Sequence, residues 1–296
     1  MRILLTGSSG FLGKYFGELL QFENNIVSLN RNIGDYKCDL KYQMPNFDTP
    51  FDLVIHNASK VHSIPRNIFE KNDFFDVNVK GTLNLLRGLK NVGCPKMFVF
   101  ISSVSVYGLI KGENIDEDTP LNANDPYGRS KIEAEEVIKK WCSENSVICT
   151  ILRLPLVAGS NPPGNLGLMI KGIKNGFYFN VAGGKSNKSI VLAIDIAKFV
   201  VKASKVGGVY NLTDGYHPNF YELSRTIGLQ LGKNFIPNLS IFIAKILAYV
   251  GDFLGEKFPF NTVKLDKITS TLTFDDSKAR KAFGWNPSSV IDEFQI

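Results

Sequence analysis

Through the first half of the chain, short uninterrupted apolar runs alternate with longer stretches whose apolar residues recur at helical spacing. Runs at 2–6, 26–29, 53–55, 97–101 and 147–152 have the length of strands, and their hydrophobicity is continuous. Strands of that kind are covered on both faces, the condition of a parallel sheet between layers of helices. Stretches 12–22, 73–91 and 126–144 supply the helices. Joined by right-handed crossovers, these units predict an α/β fold with a doubly wound parallel sheet. After Pro155 the pattern loosens: residues 161–167 are rich in Pro, Gly and Asn, and 182–189 are polar. Helical periodicity returns at 194–204, 220–231, 239–254 and 277–283. The chain is therefore expected to divide into a domain over 1–155 and a smaller, mostly C-terminal lobe over 156–296. Some segments of the lobe return to the first domain. Residues 237–254 are strongly apolar, but Lys245 and Asp252 interrupt them and the apolar runs are too short to span a bilayer. They predict an amphipathic helix.

Directly after the first strand comes Thr6-Gly7-Ser8-Ser9-Gly10-Phe11-Leu12-Gly13, leading into a helix. Glycines at 7, 10 and 13 permit a tight turn, close approach of backbone to a pyrophosphate, and close helix–strand packing. The helix start at Phe11 and Leu12 then turns its N–H groups and positive dipole end toward the phosphates. A strand–turn–helix unit of this kind predicts a Rossmann-type dinucleotide site. Where an acid would hold the ribose hydroxyls of NAD, at the end of the second strand, stand Asn30 and Arg31. Arg31 can pair with a 2′-phosphate, which an acid would repel, so the residues lean toward NADP over NAD.

The strand at 97–101 runs into Ser102-Ser103-Val104-Ser105-Val106-Tyr107-Gly108, and Asp125-Pro126-Tyr127-Gly128-Arg129-Ser130-Lys131 opens a helix. Tyr127 and Lys131, four apart, share a helical face. A phenol with a pKa near 10 is a poor acid–base group at neutral pH, and a neighbouring ammonium shifts it toward the phenolate. Ser103, at the strand end, can hydrogen-bond the same substrate oxygen. Together these groups can move a proton on a carbinol while a nicotinamide takes or gives hydride.

Composition adds mainly exclusions. With 296 residues, 44% hydrophobic and 21% charged, the chain is neither fibrous nor disordered. Its net charge of +6 is mild and unclustered, so nucleic-acid binding is not expected. Cys38, Cys94, Cys142 and Cys149 show no metal-ligand spacing, and no metal is expected. They read as reduced thiols of a cytoplasmic protein, and no leader pattern precedes the first strand.

Taken together, TGSSGFLG at 6–13, Cys38-Asp39-Leu40, DLVIHNA at 52–58, NVKGT at 78–82, SSVSVYG at 102–108 and YGRSK at 127–131 resemble the extended short-chain dehydrogenase/reductases. Within that superfamily they resemble the nucleotide-sugar epimerase/dehydratase family. The resemblance implies that Gly7, Gly10, Phe11, Leu12, Gly13, Asn30, Arg31, Asp39, Leu40 and Ala58 line the cofactor, together with Tyr127 and Lys131. It also implies that Asn78 is a structural hydrogen-bonder; His56 reads as a packed strand-end residue. Ser103, Ser105, Tyr127, Asn165 and Lys188 are implied to meet a nucleotide-sugar, UDP-linked by preference, although the family has arginine where Lys188 stands. Catalysis falls to Ser103, Tyr127 and Lys131. A dehydratase of this family carries a carboxylate pair where Val104 and Ser105 stand, so 4,6-dehydration is not expected. A 4-ketoreductase of surface-polysaccharide sugar synthesis is the first reading, on the strength of Arg31, and a 4-epimerase with tightly bound NAD the alternative. A non-catalytic dinucleotide sensor fits less well, because both Tyr127 and Lys131 are present. A homodimer is expected to pair through helices 73–91 and 126–144, whose apolar residues Phe74, Val77, Leu85, Leu89, Ile132, Val137, Ile138 and Trp141 are to be divided between the chain's own sheet and a partner.

Overall fold

The computed structural model describes residues 1–61, 65, 67–255 and 260–296. Seven parallel strands form the central sheet, in the order Gly208–Asn211, Ile148–Leu154, Met97–Ser103, Leu53–His56, Arg2–Thr6, Asn25–Asn30, Tyr36–Lys37. From Arg2–Thr6 the chain steps outward to Asn25–Asn30, then crosses back to build the other half from Leu53–His56. The order of winding reverses between those two central strands, and in open α/β sheets the ligand crevice lies outside the carboxyl ends of the strands at such a switch point. The glycine turn and Asn57–Ala58 follow those two strand ends.

Successive side chains of the central strands feed two cores. Ile3, Leu5, Ile55 and Val99 face the helices Phe11–Leu20 and Ala193–Ser204, and Trp285 and Phe283 close that layer. Leu4, Val54, Phe98 and Phe100 face Gly81–Val92 and Pro126–Glu144 through Leu85, Leu89, Ala134 and Ile138. Burial on both faces explains why these strands read as continuous apolar runs. Two segments from beyond residue 155, the edge strand Gly208–Asn211 and the helix Ala193–Ser204, join this sheet. A separate core gathers Leu166, Met169, Ile170 and Ile173 with Leu223, Ile227 and Val290.

Three differences from the sequence pattern have physical causes. The stretch 73–91 is not one helix: Ile68–Phe75 passes through a π turn, Asp76–Lys80, into Gly81–Val92. The wide turn carries Asn78, whose side chain is engaged on both sides. Residues 161–167 are not wholly loop, because a helix, Gly164–Lys174, begins behind Pro162 and Pro163 and buries an i, i+3, i+4, i+7 stripe. Finally, Phe74, Leu85, Leu89 and Ile138, candidates for either sheet or partner, are at most 1% exposed and belong to the chain's own core. What the Gly81–Val92 helix shows outward is Leu83 among Lys80, Arg87 and Lys90.

Candidate active site

At the glycine turn, Gly7 has φ +67°, and a Cβ there would stand 2.9 Å from the Ala58 backbone. A Cβ on Gly13 would lie 2.1 Å from the Gly7 carbonyl oxygen. Turn, helix and the Asn57–Ala58 segment are thus packed backbone to backbone. No side chain caps the Phe11–Leu20 helix at Gly10, so its first N–H groups face the crevice without a competing acceptor. Asn30 ties the turn to the neighbouring strand: its amide donates to Ser8 Oγ (2.7 Å), and its oxygen accepts from Ser9 Oγ (3.2 Å). Arg31, next along, is exposed. At the sheet edge Asp39 accepts from the Lys41 N–H (3.1 Å), and buried Leu40 gives its carbonyl to Asn84 (2.8 Å).

The Asn57–Ala58 segment hangs on Thr6. Its Oγ1 accepts from the Asn57 N–H (3.1 Å) and the Ala58 N–H (3.0 Å), and lies 2.8 Å from His56 Nδ1. His56 Nε2 lies 2.9 Å from Thr82 Oγ1. With both ring nitrogens engaged and burial pushing its pKa down to about 3, His56 is a neutral packing residue. Asn78 donates to Ser130 Oγ (2.9 Å) and accepts from the Lys60 N–H (2.7 Å), while Ser130 Oγ donates to the Tyr127 carbonyl (2.8 Å). That chain of bonds fixes the first turn of the Pro126–Glu144 helix, which Asp125 caps through the Gly128 N–H (3.0 Å).

Ser103 ends its strand and takes the Ser105 N–H (3.1 Å), with Ser105 Oγ also at 3.1 Å. It stands close enough to the Tyr127 hydroxyl to favour the phenolate, yet burial outweighs that help and pushes the phenol up to about 12. This differs from the expected lowering by Lys131. The Lys131 ammonium reaches back instead to the Ile101 carbonyl (2.8 Å) and over the Phe100 ring (4.5 Å). Burial brings its own pKa down to about 7, against the pull of Glu135.

Behind Lys131 lies a network that motif reading missed. Arg153 (3% exposed) forks onto Glu135 through Nε (3.1 Å) and Nη2 (2.8 Å), and Ser102 Oγ donates to the same carboxylate (2.6 Å). Arg153 Nη1 donates to Tyr107 Oη (3.0 Å), which donates to Asn211 (2.8 Å). The signal was present: an arginine inside the run Ile148–Leu154 must be buried, and a buried charge requires a partner.

The other expected residues lie in the lobe. Asn165 is exposed in the first turn of Gly164–Lys174, whose N-terminus no side chain caps. Lys188 is half-buried; its ammonium donates to the Ser270 carbonyl (2.7 Å), and burial with the nearby Lys267 charge brings it down to about 8. No described hydrogen bond joins either residue to Ser103 or Tyr127. A cleft of about 560 Å³ elsewhere is lined by Asp214, His217, Asp276 and Arg280 among others. Its acids are already engaged: Asp276 holds Arg280 (2.7 Å), and Asp214 accepts the Tyr216 and His217 N–H groups (both 3.1 Å).

An N-acetyl-alpha-D-glucosaminyl-diphospho-ditrans,octacis-undecaprenol 4-epimerase from Escherichia coli O157:H7 is 30% identical over 95% of this chain and 89% of its own. A UDP-glucose 4-epimerase from Vibrio cholerae is 25% identical, over 98% of this chain and 92% of its own. Among solved structures, UDP-glucose 4-epimerase from Thermotoga maritima, with UDP-glucose, superposes with a TM-score of 0.75. It is 20% identical, over 99% of this chain and 96% of that one, a likeness of fold. The model of the NAD dependent epimerase/dehydratase family matches residues 3–212. By sequence, this chain belongs to that family.

Proposed function

We propose that the protein is a 4-epimerase of hexoses carried on a diphosphate, working with NAD held across the crevice. The observation that carries this reading is the near full-length similarity to proteins named as 4-epimerases. It reverses the weight that Arg31 placed on a ketoreductase. NAD fits the residues present: the glycine cradle has no room for a Cβ, and the uncapped helix start suits its pyrophosphate. Gly7, Gly10 and Gly13 with the Phe11 and Leu12 N–H groups hold the phosphates, Asp39, Leu40 and Arg31 lie on the adenosine side, and Ala58 flanks the dinucleotide.

When bound, NAD would supply the hydride acceptor and donor for C4. Tyr127 moves the proton of the C4 oxygen, and Ser103 donates to the same oxygen. Lys131, anchored on the Ile101 carbonyl, supplies positive charge below the phenol, and Ser105 lines the sugar side. Lys188 and Lys267, two neighbouring cations, are relieved by an anion and so take the diphosphate. Asn165, at an uncapped helix start, meets the carrier group. The lobe formed mainly by 156–296 is the sugar-carrier side, and 1–155 the dinucleotide domain. The four cysteines are free, which suits the cytoplasm. Two copies pair across a two-fold axis, the basic row Lys80, Arg87 and Lys90 of one meeting Glu133 and Glu136 of the other.

Purified protein given UDP-N-acetylglucosamine, with no added cofactor, is expected to form the C4 epimer and to release NAD on denaturation. Turnover only with added NADPH and a 4-keto sugar would overturn the epimerase in favour of the reductase. UDP is the preferred carrier. A polyprenol carrier is the second reading, favoured by the name of the Escherichia coli relative; turnover of the polyprenyl diphosphate sugar alone would select it.

A further inference from the structure

The helix Ile241–Leu254 turns its small residues inward and its large ones outward. Ala244, Ala248 and Gly251 are the buried positions, seated on Leu265 with Leu239, Phe260 and Ile268 around it. Phe242 (71% exposed), Tyr249 (67%) and Phe253 (91%) point away, with Ile246, Val250 and Leu254 between them. At 3.6 residues per turn these six fall within one arc of about 140°, opposite the small side. A helix serving only a globular core does the reverse and buries its large apolar residues. Nothing among the described residues covers this face. Contiguous apolar surface of this kind marks an interaction site.

Charge narrows what the site meets. Residues 156–296 hold 16 basic and 10 acidic side chains, whereas residues 1–155 hold 18 of each. The whole net charge of +6 therefore sits in the half that carries this helix. On the helix itself Lys245 flanks the apolar arc, with Asp252 beside it on the same flank. We propose that the outward face of Ile241–Leu254 docks on the surface of an anionic lipid bilayer. Its aromatic and aliphatic side chains enter the headgroup–acyl boundary, while Lys245 reaches the phosphates and the net positive charge of the lobe draws it to the surface. Meeting a second copy through this face would instead juxtapose two basic lobes. The helix has 14 residues, about 21 Å, and none of the described helices is long and apolar enough to cross a membrane. It lies on the bilayer.

The docking surface stands whichever carrier the sugar bears. It has a geometric consequence for the site all the same. Ile268 packs on the docking helix, and two residues on the Ser270 carbonyl accepts from Lys188 (2.7 Å). The helix Thr262–Thr269 thus links the docking helix to Lys188.

Flotation with vesicles of phosphatidylethanolamine and phosphatidylglycerol tests the proposal. The protein is expected to rise with these vesicles, and several-fold less with phosphatidylcholine alone or in molar salt. The double variant Phe242→Ser, Phe253→Ser is expected to lose partitioning by at least about tenfold. Both positions are exposed, so its melting temperature and its bound dinucleotide should match those of the unaltered protein. Failure of the unaltered protein to float with the anionic vesicles, or undiminished flotation of the variant, overturns the proposal. So does a halved solution mass in the variant, which would show that a second copy covers the face. The epimerase assay on soluble UDP-sugar is read separately, so the two readings fail independently.

Discussion

Burial pushes the Tyr127 phenol up to about 12, and the first half of the reaction asks it to take the C4 hydroxyl proton, so the positive charge of Lys131 and of bound NAD must favour the phenolate. Tyr127→Phe keeps the ring and removes the hydroxyl that takes and returns that proton, so turnover is expected to fall about 10²–10⁴-fold with bound dinucleotide unchanged. Single-turnover kinetics beside a dinucleotide assay would show it, and near-normal turnover would sink the role. Arg31 is exposed at the adenosine side. Arg31→Ala should leave NAD affinity within about twofold but weaken NADP by about tenfold, since only the latter presents a phosphate to the guanidinium. Calorimetry on stripped protein decides, and an unchanged NADP affinity makes Arg31 a surface charge. His56 carries a pH signature. Its folded pKa is about 3 against about 6.5 unfolded, so the unfolded state binds more protons between those values and stability falls as pH drops through that window. By pH 5 the loss is about 2 kcal/mol. A melting temperature insensitive to pH between 7 and 5 would contradict it. At this scale residue types and spacing were legible, but the direction of the Lys131 side chain was not. An i, i+4 spacing places two residues on one face without saying which acceptor the longer one reaches.

Among elements, the helix Phe11–Leu20 is pressed hardest against its neighbour. Gly13→Ala would drive a methyl onto the Gly7 carbonyl, at 2.1 Å, where only backbone movement can relieve it. Bound dinucleotide should be lost together with about 1–3 kcal/mol of stability; a variant that keeps both would show the turn to be slack. Central strands were legible because burial on both faces leaves an unbroken apolar run. The edge strands Tyr36–Lys37 and Gly208–Asn211 were not: one has two residues, and the other begins on glycine. The π turn at Asp76–Lys80 was invisible for another reason. It carries Asn78 to its distant partner Ser130, a contact that local periodicity cannot register.

For the whole molecule, the expected dimer predicts a light-scattering mass of twice 32.9 kDa at micromolar concentration. It should shift toward the single chain in molar salt, because the outward faces of the pairing helices are mostly charged. A salt-independent single-chain mass would rule it out. Of the apolar residues on those helices, Phe74, Leu85, Leu89 and Ile138 go to the chain's own core, because a helix in a doubly wound fold must first satisfy its own sheet. What most of the sequence made plain was the crevice, since every strand feeding it announces itself locally. One further consequence follows from the Glu135–Arg153 fork, 0% and 3% exposed at its side chains. Losing either member strands the other in the interior at a cost of about 3–5 kcal/mol, whereas an apolar pair of matching volume would be tolerated. Two codons eighteen positions apart are thereby chained to each other: every one-step mutational path from the ionic pair to the apolar one runs through a chain crippled in folding. Drift at these two sites is arrested unless both change in a single lineage at nearly the same time.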